Sequence, residues 1–481
     1  MTKQDSLMVR LSEAKIPWGE ITEAVHIAAG DTELLPGFKF SDMPEYIKVS
    51  AVSKPDSDSF IRIECWLPVK DWNGDLAGLG NGGSAGALPA IMMAGPLRLG
   101  FATVTTDMGT STGPDCGIEH PSVIKDFGHR ATHLMTVAGK EIVRAWYGKA
   151  PSYSYFVGGS TGGQQGLSEA QRYPEDYDGI LACAPAYDRV NLHLSFLRDW
   201  QALNAPGVED FTAEDEKNLV ARFLERYPED GEKRGEDDFF YRPDRIRPVR
   251  EDFEGLGFSE AQVDALCTIY EDLCEPETGV LVHEATLTPG SEASGMGLLH
   301  RQEKPGFEQG YFYLFRWILG SDFDFRNFDF AKDAETLHQA LSADLDAVNP
   351  DLSAFKARGG KLLLVHGTAD PIIGLRSSIR YFKEVQRRMG DTSDFFRLFL
   401  LPGMGHVAGG PGAQDYVYGL PACPKDEKHY GLLTLKAWCE ENKAPDEIMP
   451  VHIEGDNVMM GFVPGVPVRE IETKPFCAEM T

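Results

Sequence analysis

The sequence predicts an α/β protein: a largely parallel sheet with crossover helices, interrupted by one large insertion. Three observations predict it. Short apolar runs alternate with helical patterns in two stretches of the chain, the signature of strands joined by helices. The alternation stops between about residues 187 and 333. Finally, 481 residues with 42% hydrophobic content can bury a large core spread over two or three structural units.

The elements follow in order. "FIRIECWLP" (60–68), "FATVTTD" (101–107), "YSYFVGG" (153–159), "GILACAP" (179–185), "KLLLVHG" (361–367) and "FFRLFLLPG" (395–403) read as strands. "HRATHLMTVAGKEIVRAWYG" (129–148) and "LRSSIRYFKEVQRRMG" (375–390) carry helical periodicity. Residues 1–186 and 334–481 therefore form the sheet domain, and 187–333 form an inserted lid over a site on that sheet. The insertion's aromatics concentrate at 310–330; Tyr311, Tyr313, Phe315 and Trp317 are explained by core packing at least as well as by ligand contact. "PEDGEKRGEDD" (228–238) reads as a solvated loop.

There are 74 acidic and 46 basic residues, a formal charge of −28, which repels phosphate backbones and anionic lipid; no nucleic-acid or membrane partner is expected. No apolar run approaches the roughly 18 residues of a spanning helix, and the first residues lack the apolar stretch of a signal peptide, so a cytoplasmic location is expected. The eight cysteines show no CxxC spacing and read as free thiols.

Gly158-Gly159-Ser160-Thr161-Gly162 fits G-x-S-x-G. In a chain with 50 glycines the pentapeptide alone is weak; its context is not. An apolar strand precedes it and "GQQGLSEAQRY" (163–173) opens a helix, the strand–turn–helix arrangement that exposes a nucleophilic serine. Glycine neighbours let strand and helix approach, and the Thr161 amide at the helix start favours a developing oxyanion. A serine hydroxyl needs a base. "LLLVHGTADPIIG" (362–374) places Asp370 after one strand, and "LLPGMGHVAGGPG" (400–412) places His406 after the next. Ser, Asp, His is the chain order of α/β-hydrolase sheets, so the fold class becomes an α/β-hydrolase with a large inserted lid. His406 would take the Ser160 proton and Asp370 would orient the imidazole.

"GLGNGGSAG" (78–86) has three readings: a simple turn, a dinucleotide loop or an oxyanion loop. Gly78, Gly80 and Gly83 match a dinucleotide fingerprint, with Asp107 24 residues beyond the third glycine. "DWNGDLA" before it is a poor strand, however, and that reading leaves the triad unexplained. In a hydrolase the loop would supply the second oxyanion N–H, from Gly82 or Gly83. His129 and His133 lack the Glu of a zinc-protease helix, and Asp322, Asp324 and Asp329 lack the glycine and terminal Glu of an EF-type loop, so no metal is expected.

Taken together, these residues resemble the tannase and feruloyl esterase family of α/β-hydrolases, which also includes the mono-hydroxyethyl terephthalate hydrolases. The similarity runs through "WLPVKDWNG", "LGNGGSAG" and "YGKAPSYSYFVGGSTGGQQGLSEAQRYPEDYDGILACAPA", then "LTPGSEAS", "NPDLSAFKARGGKLLLVHGTADPIIG" and "FFRLFLLPGMGHVAGGPG". The resemblance implies hydrolysis of small-molecule carboxylic esters, often of aromatic acids, by Ser160, Asp370 and His406 under a lid, with no cofactor. It also implies a disulfide between cysteines beside the serine and the histidine; here those positions are Gly159 and Val407, so the loops must be held by packing and hydrogen bonds, with more freedom to move. The acidic calcium loop of the family's lid is not reproduced in residues 213–240, and the arginine expected after the paired glycines is Gln164.

The leading expectation is a serine esterase acting on an aromatic or bulky ester through an acyl-enzyme. The alternatives are the same triad serving an intracellular acyltransferase, lactonase or carbon–carbon hydrolase, or a silent binding protein that uses the cleft.

Overall fold

The computed structural model describes residues 3–35, 38–111, 113, 115–292, 296–302, 312–454 and 465–477. Nine strands make one sheet: β1 (Gly19–Ile27), β2 (Tyr46–Ser53), β3 (Ile61–Pro68), β4 (Leu76–Leu79), β5 (Ala102–Thr106), β6 (Ser154–Gly159), β7 (Gly179–Cys183), β8 (Lys361–Gly367) and β9 (Phe396–Leu401). Their spatial order is β1-β2-β3-β5-β4-β6-β7-β8-β9. The first three pairings, β1–β2, β2–β3 and β3–β5, are antiparallel. The rest, from β5–β4 to β8–β9, are parallel.

The parallel strands are buried on both faces, which is why they read as unbroken apolar runs. Alternate residues feed two cores: Phe156, Ile180, Leu362 and Leu364 enter one, while Tyr155, Val157, Leu181, Leu363 and Val365 enter the other. Helices cover both faces. Helix α1 (Ala131–Tyr147) sits in the first core and stops at Gly148, whose φ of 76° suits a left-handed cap. Helix α2 (Thr161–Arg172) follows β6 directly. Its Gly166 lets it lie on the sheet, since a Cβ there would stand 2.9 Å from Ile180 Cγ2.

The insertion opens with α3 (Arg189–Leu203), then α4 (Ala213–Arg226) and α5 (Glu260–Tyr270). Both α4 and α5 begin with capping boxes, Thr212 with Asp215 and Ser259 with Gln262. They build a separate core around Leu219, Phe223, Leu266 and Tyr270. By contrast, Leu194, Leu197 and Trp200 of α3, and the aromatics Phe315, Trp317, Phe325 and Phe328, belong to the first sheet core. Trp317 fits against Gly117, where any side chain would collide with the indole. Core packing therefore accounts for Phe315 and Trp317; Tyr311 lies outside the described residues. The chain re-enters the sheet domain through α6 (Asp333–Leu345) and continues with α7 (Leu375–Met389) and α8 (Gly431–Glu441).

Three sheet strands differ from the sequence expectation. β1 and β2 form an antiparallel extension at one side of the sheet, with exposed positions on β1 alone, and β4 is only four residues long. β4 corrects one reading: a short, fully buried strand does precede the glycine loop, beginning at Leu76, and it lies between β5 and β6. No helix among the described residues is long and apolar enough to cross a membrane, and all eight cysteines are unpaired.

Candidate active site

β6 ends at Gly159 and α2 starts at Thr161, leaving Ser160 alone in the turn with φ 60° and ψ −118°. A side chain-bearing residue in that region costs about 1–3 kcal/mol and persists only where its surroundings enforce it. They do so here. Ser160 N–H donates to the Cys183 carbonyl at 2.9 Å, and the Ser160 carbonyl accepts from Ala186 N–H at 3.1 Å. A Cβ on Gly158 would stand 2.5 Å from the Gly162 oxygen, and one on Gly163 2.7 Å from the Cys183 oxygen. The glycines of the motif thus permit the turn to close.

Asp370 follows β8 and is fully buried. Its Oδ1 accepts from Ile372 N–H at 2.8 Å and Ile373 N–H at 3.1 Å. Its Oδ2 lies 2.9 Å from His406 Nδ1. Burial alone would raise the carboxyl, but the charge of His406, with hydrogen bonds from His366 and His406, outweighs it and holds Asp370 well below the usual carboxylate range. His366, on β8, is a residue the sequence reading passed over. It is fully buried, with Nε2 3.4 Å from Asp370 Oδ2 and 3.0 Å from the Ile373 carbonyl, and Nδ1 2.8 Å from Ser378 Oγ.

Ser160 and His406 line one cavity of about 330 Å³, in the range of small-molecule sites. Thr161, Gly82 and Gly83 line it too. Among the described residues the N–H groups of these three donate to no protein acceptor, so all three oxyanion candidates keep open donors. Ser160 Oγ likewise has no hydrogen-bond partner among the described residues. The glycine loop is anchored by Gly162 N–H donating to the Asn81 carbonyl at 2.7 Å and by Asn81 N–H donating to Gln165 Oε1 at 2.8 Å.

Arg189, at the start of α3, also lines the cavity and was not singled out from the sequence. Its guanidinium donates to Thr161 Oγ1 at 3.0 Å, to Gln164 Oε1 at 3.2 Å and to Tyr313 Oη at 2.7 Å. A guanidinium therefore reaches this corner from α3, next to the Gln164 that stands where an arginine was expected.

The dinucleotide reading has no support in this geometry. Gly78 lies inside β4, packed against Tyr177, and Asp107 is buried in an ion pair with Arg62 at 2.6 Å. His129 contacts Tyr173 Oη at 2.6 Å and His133 contacts Asp176 at 2.6 Å, which accounts for both histidines within the fold. Asp324 caps a short helix by accepting from Arg326 N–H at 3.1 Å.

The family model for tannase and feruloyl esterase matches residues 47–212 and 304–478. The chain belongs to this family. An uncharacterized esterase of Xanthomonas campestris pv. campestris is 31% identical over 96% of this chain and 85% of its own length. A probable feruloyl esterase B of Aspergillus clavatus is 30% identical over 83% of this chain and 77% of its own. Among solved structures, feruloyl esterase B of Aspergillus oryzae superposes with a TM-score of 0.86 at 24% identity, covering 99% of this chain and 96% of that one. Tannin acyl hydrolase of Aspergillus niger gives 0.71 at 18% identity over 98% and 91%. The fold is that of an α/β-hydrolase, and this member of the tannase and feruloyl esterase family is an esterase. At the two positions expected to carry cysteines, a Cβ on Gly159 would stand 2.5 Å from Val407 Cγ1 and 3.0 Å from Val407 Cβ. The valine side chain fills that space.

Proposed function

We propose that the protein is a serine esterase that cleaves an aromatic or otherwise bulky carboxylic ester through an acyl-enzyme. One observation carries the reading: a serine held at φ 60° opens on the same cavity as a histidine hydrogen-bonded at 2.9 Å to a buried, ionised aspartate. His406 Nδ1–H donates to Asp370, leaving Nε2 to accept the Ser160 proton as Oγ attacks the ester carbonyl. Hydrogen bonds of this kind are often long until substrate is in place, so the Ser160–His406 link forms in the bound complex. Thr161 N–H, with Gly82 or Gly83 N–H, receives the oxyanion. The imidazolium then protonates the departing alcohol, and water, activated by the same His406, releases the acid.

The cavity's apolar wall supports a bulky acyl or alcohol group: Met92, Leu192, Phe196 and Ile372 face it. The names of the relatives point to feruloyl esters as the first compounds to try. The test is labelling by a fluorophosphonate probe together with turnover of methyl ferulate and 4-nitrophenyl esters. Ser160 is expected to be the labelled residue and Ser160→Ala to abolish both signals. A folded protein that hydrolyses esters with Ser160 unlabelled refutes the mechanism. Product analysis with added alcohol reports transfer as new ester, and the expected product is free acid.

A further inference from the structure

The cavity beside Ser160 contains a charge that no carboxylate among the described residues balances. Arg189 is 3% exposed, yet no carboxylate among the described residues lies within 4.0 Å of its guanidinium. Its partners are neutral oxygens: Thr161 Oγ1, Gln164 Oε1, Tyr313 Oη and, at 3.4 Å, the Gly83 carbonyl. Its Nε has no partner among the described residues. The other buried arginines show what is normal in this fold. Arg301 lies 3.4 Å from Asp199, Arg316 2.8 Å from Asp115 and Arg376 3.1 Å from Asp272. Among the described residues no aspartate or glutamate lines the cavity, and the one fixed charge these residues bring to it is positive. A buried cation persists at a net cost unless an anion completes it.

The residues around Arg189 have their hydrogen-bonding capacity free in the required sense. Tyr313 Oη accepts from Arg189 and has no other partner among the described residues, so its own O–H remains available to donate. His193, one helical turn beyond Arg189, is 2% exposed and lines the cavity; its Nδ1 has no partner, and no hydrogen bond engages its ring among the described residues. The two rings meet edge to face with centroids 5.3 Å apart. Burial, then the neighbouring guanidinium, pushes His193 well below the usual imidazole range, so it stays neutral and offers one N–H. All three side chains line the cavity: a guanidinium whose terminal N–H groups are held only by neutral oxygens, a phenol O–H and an imidazole N–H together form a donor set for a carboxylate.

We propose that Arg189, Tyr313 and His193 form a subsite for a carboxylate borne by the substrate, so that the preferred ester carries a free acid group besides the bond that is cleaved. The proposal rests on the esterase reading and goes beyond it by giving the substrate a charge. Because the subsite adjoins Thr161 and Gly83, the carboxylate is held on the oxyanion side of the serine.

The experiment compares matched 4-nitrophenyl and alkyl esters, each with a carboxylate in the acyl or the alcohol half, against the same ester with that carboxylate capped as a primary amide. The wild type is expected to favour at least one carboxylate member by tenfold or more in kcat/KM, mainly through KM. Arg189→Gln and Tyr313→Phe should each cut that ratio by about tenfold and about threefold respectively, with Arg189→Lys restoring part of it. Tyr313→Phe removes a single hydroxyl and keeps the test open if Arg189→Gln fails to fold. A wild type that treats every pair alike, or variants that slow both members of a pair equally, overturns the subsite while hydrolysis of the neutral esters keeps the esterase reading. Benzoate binding to the Ser160→Ala protein, measured by calorimetry, separates the two further. Binding lost in the Ser160→Ala, Arg189→Gln double variant supports the subsite even if no ester is turned over, and binding unchanged there overturns it.

Discussion

Replacing Asp370 by asparagine changes one atom of the proposed triad and tests the role of its charge. The carboxylate uses both oxygens: Oδ1 accepts two backbone N–H groups at 2.8 and 3.1 Å, and Oδ2 faces His406 Nδ1 at 2.9 Å and His366 Nε2 at 3.4 Å. An asparagine must choose. With its NH₂ toward Ile372 and Ile373, a donor meets two buried donors, and each unsatisfied group costs about 1–3 kcal/mol. With its oxygen kept there, the NH₂ faces His406 Nδ1, which must then accept. That second orientation loses fewer hydrogen bonds, so it prevails, and it places the imidazole proton on Nε2, where it can no longer receive the proton of Ser160. Loss of the correct tautomer in a triad of this kind lowers kcat by about 10⁴-fold, equivalent to about 5 kcal/mol of barrier. The assay is release of 4-nitrophenolate under substrate saturation, with thermal unfolding as the control for folding. The pH dependence follows from the same residue. Because folding depresses the Asp370 pKa, its carboxylate contributes stability that is present above the ordinary carboxyl range and lost as the pH falls through the depressed value. Asp370→Asn should therefore lack that acid-side decline. A folded Asp370→Asn protein that keeps more than about one-hundredth of wild-type kcat would refute the assignment of Asp370 as the residue that orients His406.

Two further perturbations address the loops and the insertion. The Gly159→Cys, Val407→Cys double variant should form a disulfide under mild oxidant, because the two Cβ positions lie 3.0 Å apart, shorter than the usual spacing of about 3.5–4.5 Å by an amount that a small shift of the two loops supplies; thiol titration showing both cysteines free after oxidation would contradict this contact. Glu292, buried behind α5 and accepting from Tyr270 Oη and from Gly290 N–H at 2.8 Å, is raised by burial from 4.5 to about 7. Its raised pKa means that the neutral form stabilises the fold below pH 4.5 and that this contribution, up to roughly 3 kcal/mol, is lost as the pH rises toward 7. Glu292→Gln should flatten that decline in denaturant titrations across the window, and an unchanged slope would show that Glu292 is ionised in the native state.

The sequence announces the features that are local and hides those made through space. Ser160 is legible because strand, glycine-permitted turn and helix are contiguous, and Asp370 and His406 because each follows a buried apolar run. β4 escapes because four residues carry no measurable period, and β1 because its exposed face breaks the apolar pattern. Arg189 sits in "APAYDRVNLHL", which matches no motif; it stands out only when α3 brings it against α2 and no acidic residue among the described ones pairs with it. His366 reads as one more strand residue in "LLLVHG", and only the return of the Asp370 loop over β8 places it against the acid. Tyr313 shares an aromatic run with Phe315 and Trp317, and nothing in that run shows that Tyr313 lines the cavity while Phe315 and Trp317 pack into the sheet core.

Main-chain hydrogen bonds explain how three loops stay aligned without a covalent tie. Ser160 is joined through both its N–H and its carbonyl to the segment after β7, Cys183 to Ala186. In that segment Ala184 N–H donates to the Val365 carbonyl of β8 at 2.9 Å, which connects the serine turn to the strand that leads into the Asp370 loop. Beyond β8, Thr368 N–H donates to the Leu401 carbonyl at 2.9 Å and Ala369 N–H to the Met404 carbonyl at 2.9 Å, connecting the acid loop to the histidine loop. Val407, itself held at φ 60°, then closes the circuit by packing on Gly159. Ser160, Ala184 and Val407 all occupy positive φ, which side chain-bearing residues rarely do, and each lies on this circuit. Backbone strain at three linked points survives only if the links between them are stiff. The expectation that these loops gain freedom from the missing cysteines therefore does not follow: the bridge would add one cross-link to a frame that the main chain has already closed.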